Sequence, residues 1–110
     1  MKKIVIFGGS GFLGSYVADE LSQRGFNVVI ADLIESNHLK SNQKFIKVDI
    51  MNLDEIINIT KTASIVYNFS AIAELEEAIK NPIKTFEVNV LGNLNILEAC
   101  KQVGCIERFI

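Results

Sequence analysis

No apolar run in this 110-residue chain approaches the roughly 20 residues that a membrane-spanning helix needs. Cysteine is scarce. Cys100 and Cys105 are the only two, too few to suggest a disulfide framework or a metal cluster, and they imply a reducing, cytoplasmic setting. Cys100 is expected to pack in a helix. His38, the one histidine, lies in the polar loop Glu35 to Lys44 without a nearby cysteine, so no metal site is expected. A large excess of charge of either sign is also lacking: the formal net charge is −2, which gives no general pull toward nucleic acid or anionic membrane. The N-terminus enters a strand almost at once, leaving no room for a signal peptide. Such a length holds one domain at most, and 49% hydrophobic with 22% charged residues is an ordinary globular balance.

What the chain does have is concentrated between Lys3 and Asp32. An apolar strand, Ile4-Val5-Ile6-Phe7, runs into Gly8-Gly9-Ser10-Gly11-Phe12-Leu13-Gly14; a helix follows, and a second apolar strand ends on Asp32. This order suits a dinucleotide site. Gly8 permits a sharp turn off the strand, Gly11 permits backbone to approach a pyrophosphate, and Gly14 permits the helix to pack close to the sheet. The free N–H groups of the first helical turn, with about half a positive charge from the macrodipole, then face the phosphates. In that helix Tyr16, Val17 and Leu21 are expected on the buried side, Asp19, Glu20, Gln23 and Arg24 on the wet side, and Gly25 as the C-cap. Val28 to Ala31 is near-continuously apolar, as in a strand covered by helices on both faces. A glycine-rich turn in an unrelated α/β protein is the plainer alternative, but strand, helix and acid stand in register here.

The acid bears on which dinucleotide binds. A carboxylate ending the second strand accepts from both ribose hydroxyls of NAD and repels the 2′-phosphate of NADP. Asp32 stands there, and Leu33, Ile34 and Glu35 after it include no cation to hold a phosphate. NAD is therefore the expected cofactor, with Asp32 and Leu33 among its contacts; a solvated Asp capping a loop is the alternative.

Further on, Lys44 to Val48 reads as a strand ending at Asp49-Ile50. Asn52 caps a helix of about Leu53 to Lys61, on which Leu53, Ile56, Ile57 and Thr60 follow helical spacing. Ser64 to Phe69 is a fourth strand and Glu74 to Lys80 a short helix broken before Pro82. A long helix is expected from Ile83 to Val103, closed by Gly104, with Ile83, Phe86, Val90, Leu94 and Leu97 as an apolar stripe read most simply as core. Leu91 and Cys100 widen it. Glu107 to Ile110 begins a fifth strand. The alternation predicts an α/β fold, a doubly wound parallel sheet of Rossmann type in the order 3-2-1-4-5. Residues 1–110 are expected to form one dinucleotide-binding domain, the N-terminal part of something longer, cut at strand five.

Gly8 to Gly14, Asp32, Val48-Asp49-Ile50, Asn68-Phe69-Ser70-Ala71, and Asn89-Val90-Leu91-Gly92-Asn93 through Ala99 succeed one another over nearly the whole chain. Together they resemble the extended short-chain dehydrogenase/reductase family, in its NAD-dependent epimerase/dehydratase branch acting on nucleotide sugars. The resemblance implies that Phe12 and Leu13 offer backbone at the pyrophosphate and that Asp49 and Ile50 sit against the adenine. It implies too that Phe69, Ser70, Ala71 and Ala73 line the cofactor's ribose and phosphate. Asn89 would stand at the active-site wall, holding helix geometry and a water near a catalytic lysine. Asp49 capping a turn, and Asn89 as an exposed helix residue, are the plainer readings. The stripe's width also fits the helix-pair homodimer that the family often forms, here through residues 83–103.

Departures bear on function. Asn68 and Ser70 replace the family's usual His and first Ala, Asn93 replaces its usual Thr, and Ala73 stands where sugar epimerases often carry a longer polar side chain. The family's catalytic Tyr-x-x-x-Lys pair is absent: Glu20 stands four residues after Tyr16, and Ala71 four after Tyr67. No catalytic residue is therefore assigned, and the chain alone is expected to be inactive. The leading expectation is the cofactor portion of an NAD-dependent epimerase, dehydratase or reductase whose substrate is a nucleotide sugar. A non-catalytic NAD(H) sensor, or an NADP-dependent reductase of the same fold, stays open beside it.

Overall fold

The computed structural model describes residues 2–36 and 39–110; His38 lies outside them. Five strands form one parallel sheet in the order β3-β2-β1-β4-β5, the predicted order: β1 Lys3–Phe7, β2 Asn27–Asp32, β3 Gln43–Lys47, β4 Ile65–Asn68 and β5 Arg108–Phe109. Lys3 pairs with Asn27 and Phe7 with Ala31 across β1 and β2, and Ile4 with Ile65 across β1 and β4. Pairing at β5 extends a residue beyond it each way, through Glu107 N–H to the Ser64 carbonyl at 2.7 Å and Ile110 N–H to the Val66 carbonyl at 2.9 Å.

Because strand side chains alternate in direction, the apolar runs divide into two cores. Ile4, Ile6, Val28 and Ile30 pack with Ala18 of α1 (Phe12–Gln23) on one face. Val5, Phe7, Val29, Ala31 and Val66 pack on the other with Ile56 and Ile59 of α2 (Leu53–Thr60) and with Ile96 and Ala99 of α5 (Asn93–Val103). Asn52 caps α2 as expected, its side chain accepting from Glu55 N–H at 3.2 Å. Thr60, fully buried, satisfies its hydroxyl on the Ile56 carbonyl at 2.9 Å.

Three expectations fail. On α1, Val17 and Leu21 pack half-buried against the core as expected, but Tyr16 is 65% exposed, and the fully buried positions are Gly14, Ala18 and Ser22. Small residues lie against the sheet because close packing leaves no volume for a ring. The C-cap is Arg24, with Gly25 next at φ 91°. Second, residues 82–103 are not one α-helix. After α3 (Leu75–Lys80), a short α4 (Pro82–Phe86) passes into a π-helical stretch, Glu87–Gly92, and then into α5. Third, the stripe read as core faces outward: Ile83, Phe86, Val90, Leu91, Leu94 and Leu97 are exposed, and Gly92, Ile96 and Ala99 are buried instead. Two apolar faces coexist on this helix, and the one with the small residues is the one that reaches the sheet. Cys100 does pack against the core, half-buried; burial, then the neighbouring Cys105, pushes its thiol pKa up.

Candidate functional site

Helix α1 lies on one face of the sheet and α2 and α5 on the other. The chain therefore leaves the C-terminal ends of β1 and β4 in opposite directions, and the split opens a crevice there. A cavity of about 490 Å³ occupies it, within the usual range for a small-molecule site.

Gly8 turns off β1 at φ 75°, a conformation open to glycine at little cost. Its N–H donates to the Ala31 carbonyl at 2.8 Å, and a Cβ there would come within 2.6 Å of the Phe69 and Ser70 backbone. Space is equally tight at the base of α1, where a Cβ on Gly14 would lie 2.3 Å from the Gly8 carbonyl oxygen. The loop thus holds its shape because two backbones meet where side chains would stand. Gly11, the N-cap, supplies no side-chain cap to α1, so the N–H groups of its first turn are left for an outside acceptor.

Asp32 ends β2 beside this loop. Its Oδ2 accepts from Ser10 N–H at 3.1 Å and its Oδ1 from Leu33 N–H at 2.7 Å. One backbone donor fixes each oxygen, and each carboxylate oxygen keeps a further lone pair for a hydroxyl. Asp49 commits one carboxylate oxygen to backbone. Oδ1 accepts from Met51 N–H at 2.9 Å, closing the turn after β3, and the residue also lines the cavity. The turn-capping reading and the ligand reading of Asp49 are therefore compatible.

Of the residues singled out in the sequence, Gly8, Gly11, Asp32, Leu33, Asp49, Ile50, Phe69, Ser70 and Ala71 line the cavity together. Phe12, Leu13, Gly14, Ala73 and Asn89 do not. Phe12 and Leu13 project into solvent from the start of α1. Asn89 spends its amide on backbone: Oδ1 accepts from Ile72 N–H at 2.7 Å, and Nδ2 donates to the Ile72 carbonyl at 3.0 Å. It pins the loop that forms one cavity wall. Asn68 and Asn93, both departures from the family pattern, meet each other. Asn68 Nδ2 donates to Asn93 Oδ1 at 2.8 Å while its Oδ1 accepts from Ser70 N–H at 2.9 Å. Asn95 adds a third pin, donating to the Ile50 carbonyl at 2.9 Å.

Glu77, Lys84 and Val88 complete the wall from the helical side, and sequence reading missed them. The four-residue step from Lys84 to Val88 was a visible signal of a shared helical face, but nothing in the sequence said that this face met the cavity. Neither tyrosine lines it. Among the described residues no group of acidic, His or Cys side chains could hold a metal, and no helix is long and apolar enough to cross a membrane. Lys3, whose ammonium pKa is lowered by burial and then by Lys44, lies on β1 away from the cavity.

Known proteins with this architecture match closely. A putative UDP-glucose 4-epimerase of Methanocaldococcus jannaschii is 33% identical over 90% of this chain and 34% of its own length. UDP-glucuronic acid decarboxylase 1 of Arabidopsis thaliana is 33% identical over 98% of this chain and 25% of its own. The crystal structure of the Thermus thermophilus UDP-glucose 4-epimerase in complex with NAD superposes with a TM-score of 0.83 at 30% identity, over 94% of this chain and 35% of that one. The chain thus spans about a third of the length of such relatives. The model of the NAD dependent epimerase/dehydratase family matches residues 4–110, and this chain belongs to that family.

Proposed function

We propose that this chain is the NAD-binding portion of a longer cytoplasmic enzyme that oxidises a hydroxyl of a nucleotide sugar. Residues 1–110 form its cofactor domain. The observation that carries the reading is Asp32, fixed by the Ser10 and Leu33 N–H groups and sharing one cavity with Gly8, Gly11 and Asp49. These residues fit the cofactor: a backbone cradle for the diphosphate, a carboxylate for the ribose diol, and Asp49 with Ile50 for the base. Bound NAD would supply hydride transfer. The residues here bind and orient, and the proton-transfer pair is expected outside these 110 residues. Asp32 followed by Leu33 supports NAD over NADP, because a second negative group beside the carboxylate is repelled.

Calorimetric titration with NAD, NADH and NADP tests this. NAD is expected to saturate the protein and NADP to bind more weakly. Asp32→Asn should weaken NAD about 10- to 100-fold, the loss of hydrogen bonds to a charged acceptor. A folded protein that stays unsaturated by millimolar NAD would refute the reading.

A second reading is a sensor that binds NAD(H) without turnover. A full-length protein lacking Tyr-x-x-x-Lys, yet binding NAD, would select it. For the outward apolar stripe, a second copy of the chain is the proposed partner, supported by contiguous exposed Ile83, Phe86, Val90, Leu94 and Leu97.

A further inference from the structure

The cavity wall carries an unbalanced charge. Asp32, Asp49 and Glu77 contribute three carboxylates, and Lys84 is the only cation among the lining residues. Glu77 is already engaged, its Oε1 accepting from Asn81 Nδ2 at 2.9 Å. Lys84 takes part in none of the ion pairs found among the described residues, Lys2–Glu107, Arg24–Glu20 and Lys101–Glu98. Pro82 sets the first turn of α4, and Lys84 and Val88, one turn apart, both reach the cavity.

A diphosphate entering such a site brings about two further negative charges to carboxylates that already repel it. The α1 N-terminus offers only about half a positive charge. We propose that the Lys84 ammonium is the counter-charge for the diphosphate of the nucleotide in this cavity, a proposal that rests on the nucleotide-binding reading above. It assigns the short helix after Pro82 a direct part in binding. Asp32 selects the ribose, while Lys84 offsets the carboxylates that this selection introduces.

Titrations of the wild-type protein, Lys84→Gln and Lys84→Glu with ADP, adenosine, NAD and NADP test it. For Lys84→Gln the dissociation constants of ADP and NAD should rise about 3- to 10-fold, as for a partly exposed ion pair, and more for Lys84→Glu. Adenosine, lacking phosphate, should be unaffected. The salt dependence of ADP binding should also flatten in Lys84→Gln. Unchanged ADP affinity in a folded variant overturns the proposal while leaving the NAD reading intact. An equal loss for adenosine overturns it in favour of a contact with the base, and a loss confined to NADP in favour of the 2′-phosphate. Wild-type protein that binds neither ADP nor NAD overturns both this proposal and the reading beneath it.

Discussion

Replacing Gly14 by alanine pits two effects of opposite sign against each other. In an isolated helix the change stabilises by about 1 kcal/mol, because alanine loses less backbone entropy than glycine. Here Gly14 is buried in the first turn of α1, and its new Cβ would lie 2.3 Å from the Gly8 carbonyl oxygen and 3.0 Å from Gly9 Cα. Those atoms are backbone and cannot swing aside as a side-chain tip would. Either α1 or the glycine loop must move by nearly 1 Å, and such overpacking costs typically about 1–3 kcal/mol. The clash therefore outweighs the propensity gain or roughly matches it at its lower limit. A net loss of up to about 2 kcal/mol corresponds to a melting point lowered by as much as roughly 15 °C for a domain of this size. Binding should suffer more than stability, because the displaced loop carries Gly8 and Gly11 of the cavity wall; a 1 Å misplacement costs up to about 100-fold at a positioned site. Thermal denaturation followed by circular dichroism, with NAD titration of the folded variant, measures both. A melting point that rises with NAD affinity unchanged would refute the close approach and the account of the cradle built on it.

Asn89→Ala removes both hydrogen bonds to Ile72 and should cost about 1–2 kcal/mol, with faster amide hydrogen exchange at residues 69–73; unchanged exchange there would show that the pin holds nothing. Phe86, 58% exposed in the outward stripe, is the test point for self-association. Phe86→Glu should convert a dimer to a monomer in sedimentation without lowering the melting point of the monomer, and a wild-type protein that sediments as a monomer at all concentrations removes the second copy as its partner.

The glycine loop and Asp32 were legible because each depends on local chemistry, and the sheet order because strands and helices alternate along the chain. A strand of Ile4 to Phe7, a turn that admits only glycine, and an acid at a fixed offset are encoded within about thirty residues. The continuous apolar runs of those strands equally called for cover on both faces of the sheet. Periodicity could not decide which of two apolar faces on residues 82–103 goes inward. The face with Gly92 and Ala99 does, because close approach to the sheet and α2 rewards small residues over the larger Phe86 and Leu94. Nor could it foresee the π-helical stretch Glu87–Gly92, which interrupts the α-helical register on which the stripe was read. The long-range partners of Asn68, Asn89 and Asn95 were also hidden: each Nδ2 donates to a group 17 to 45 residues away. Local sequence thus determined the fold, the glycine loop and the acid that ends β2. Only tertiary packing decided which helix face closes the cavity, and therefore that Glu77, Lys84 and Val88 stand in its wall.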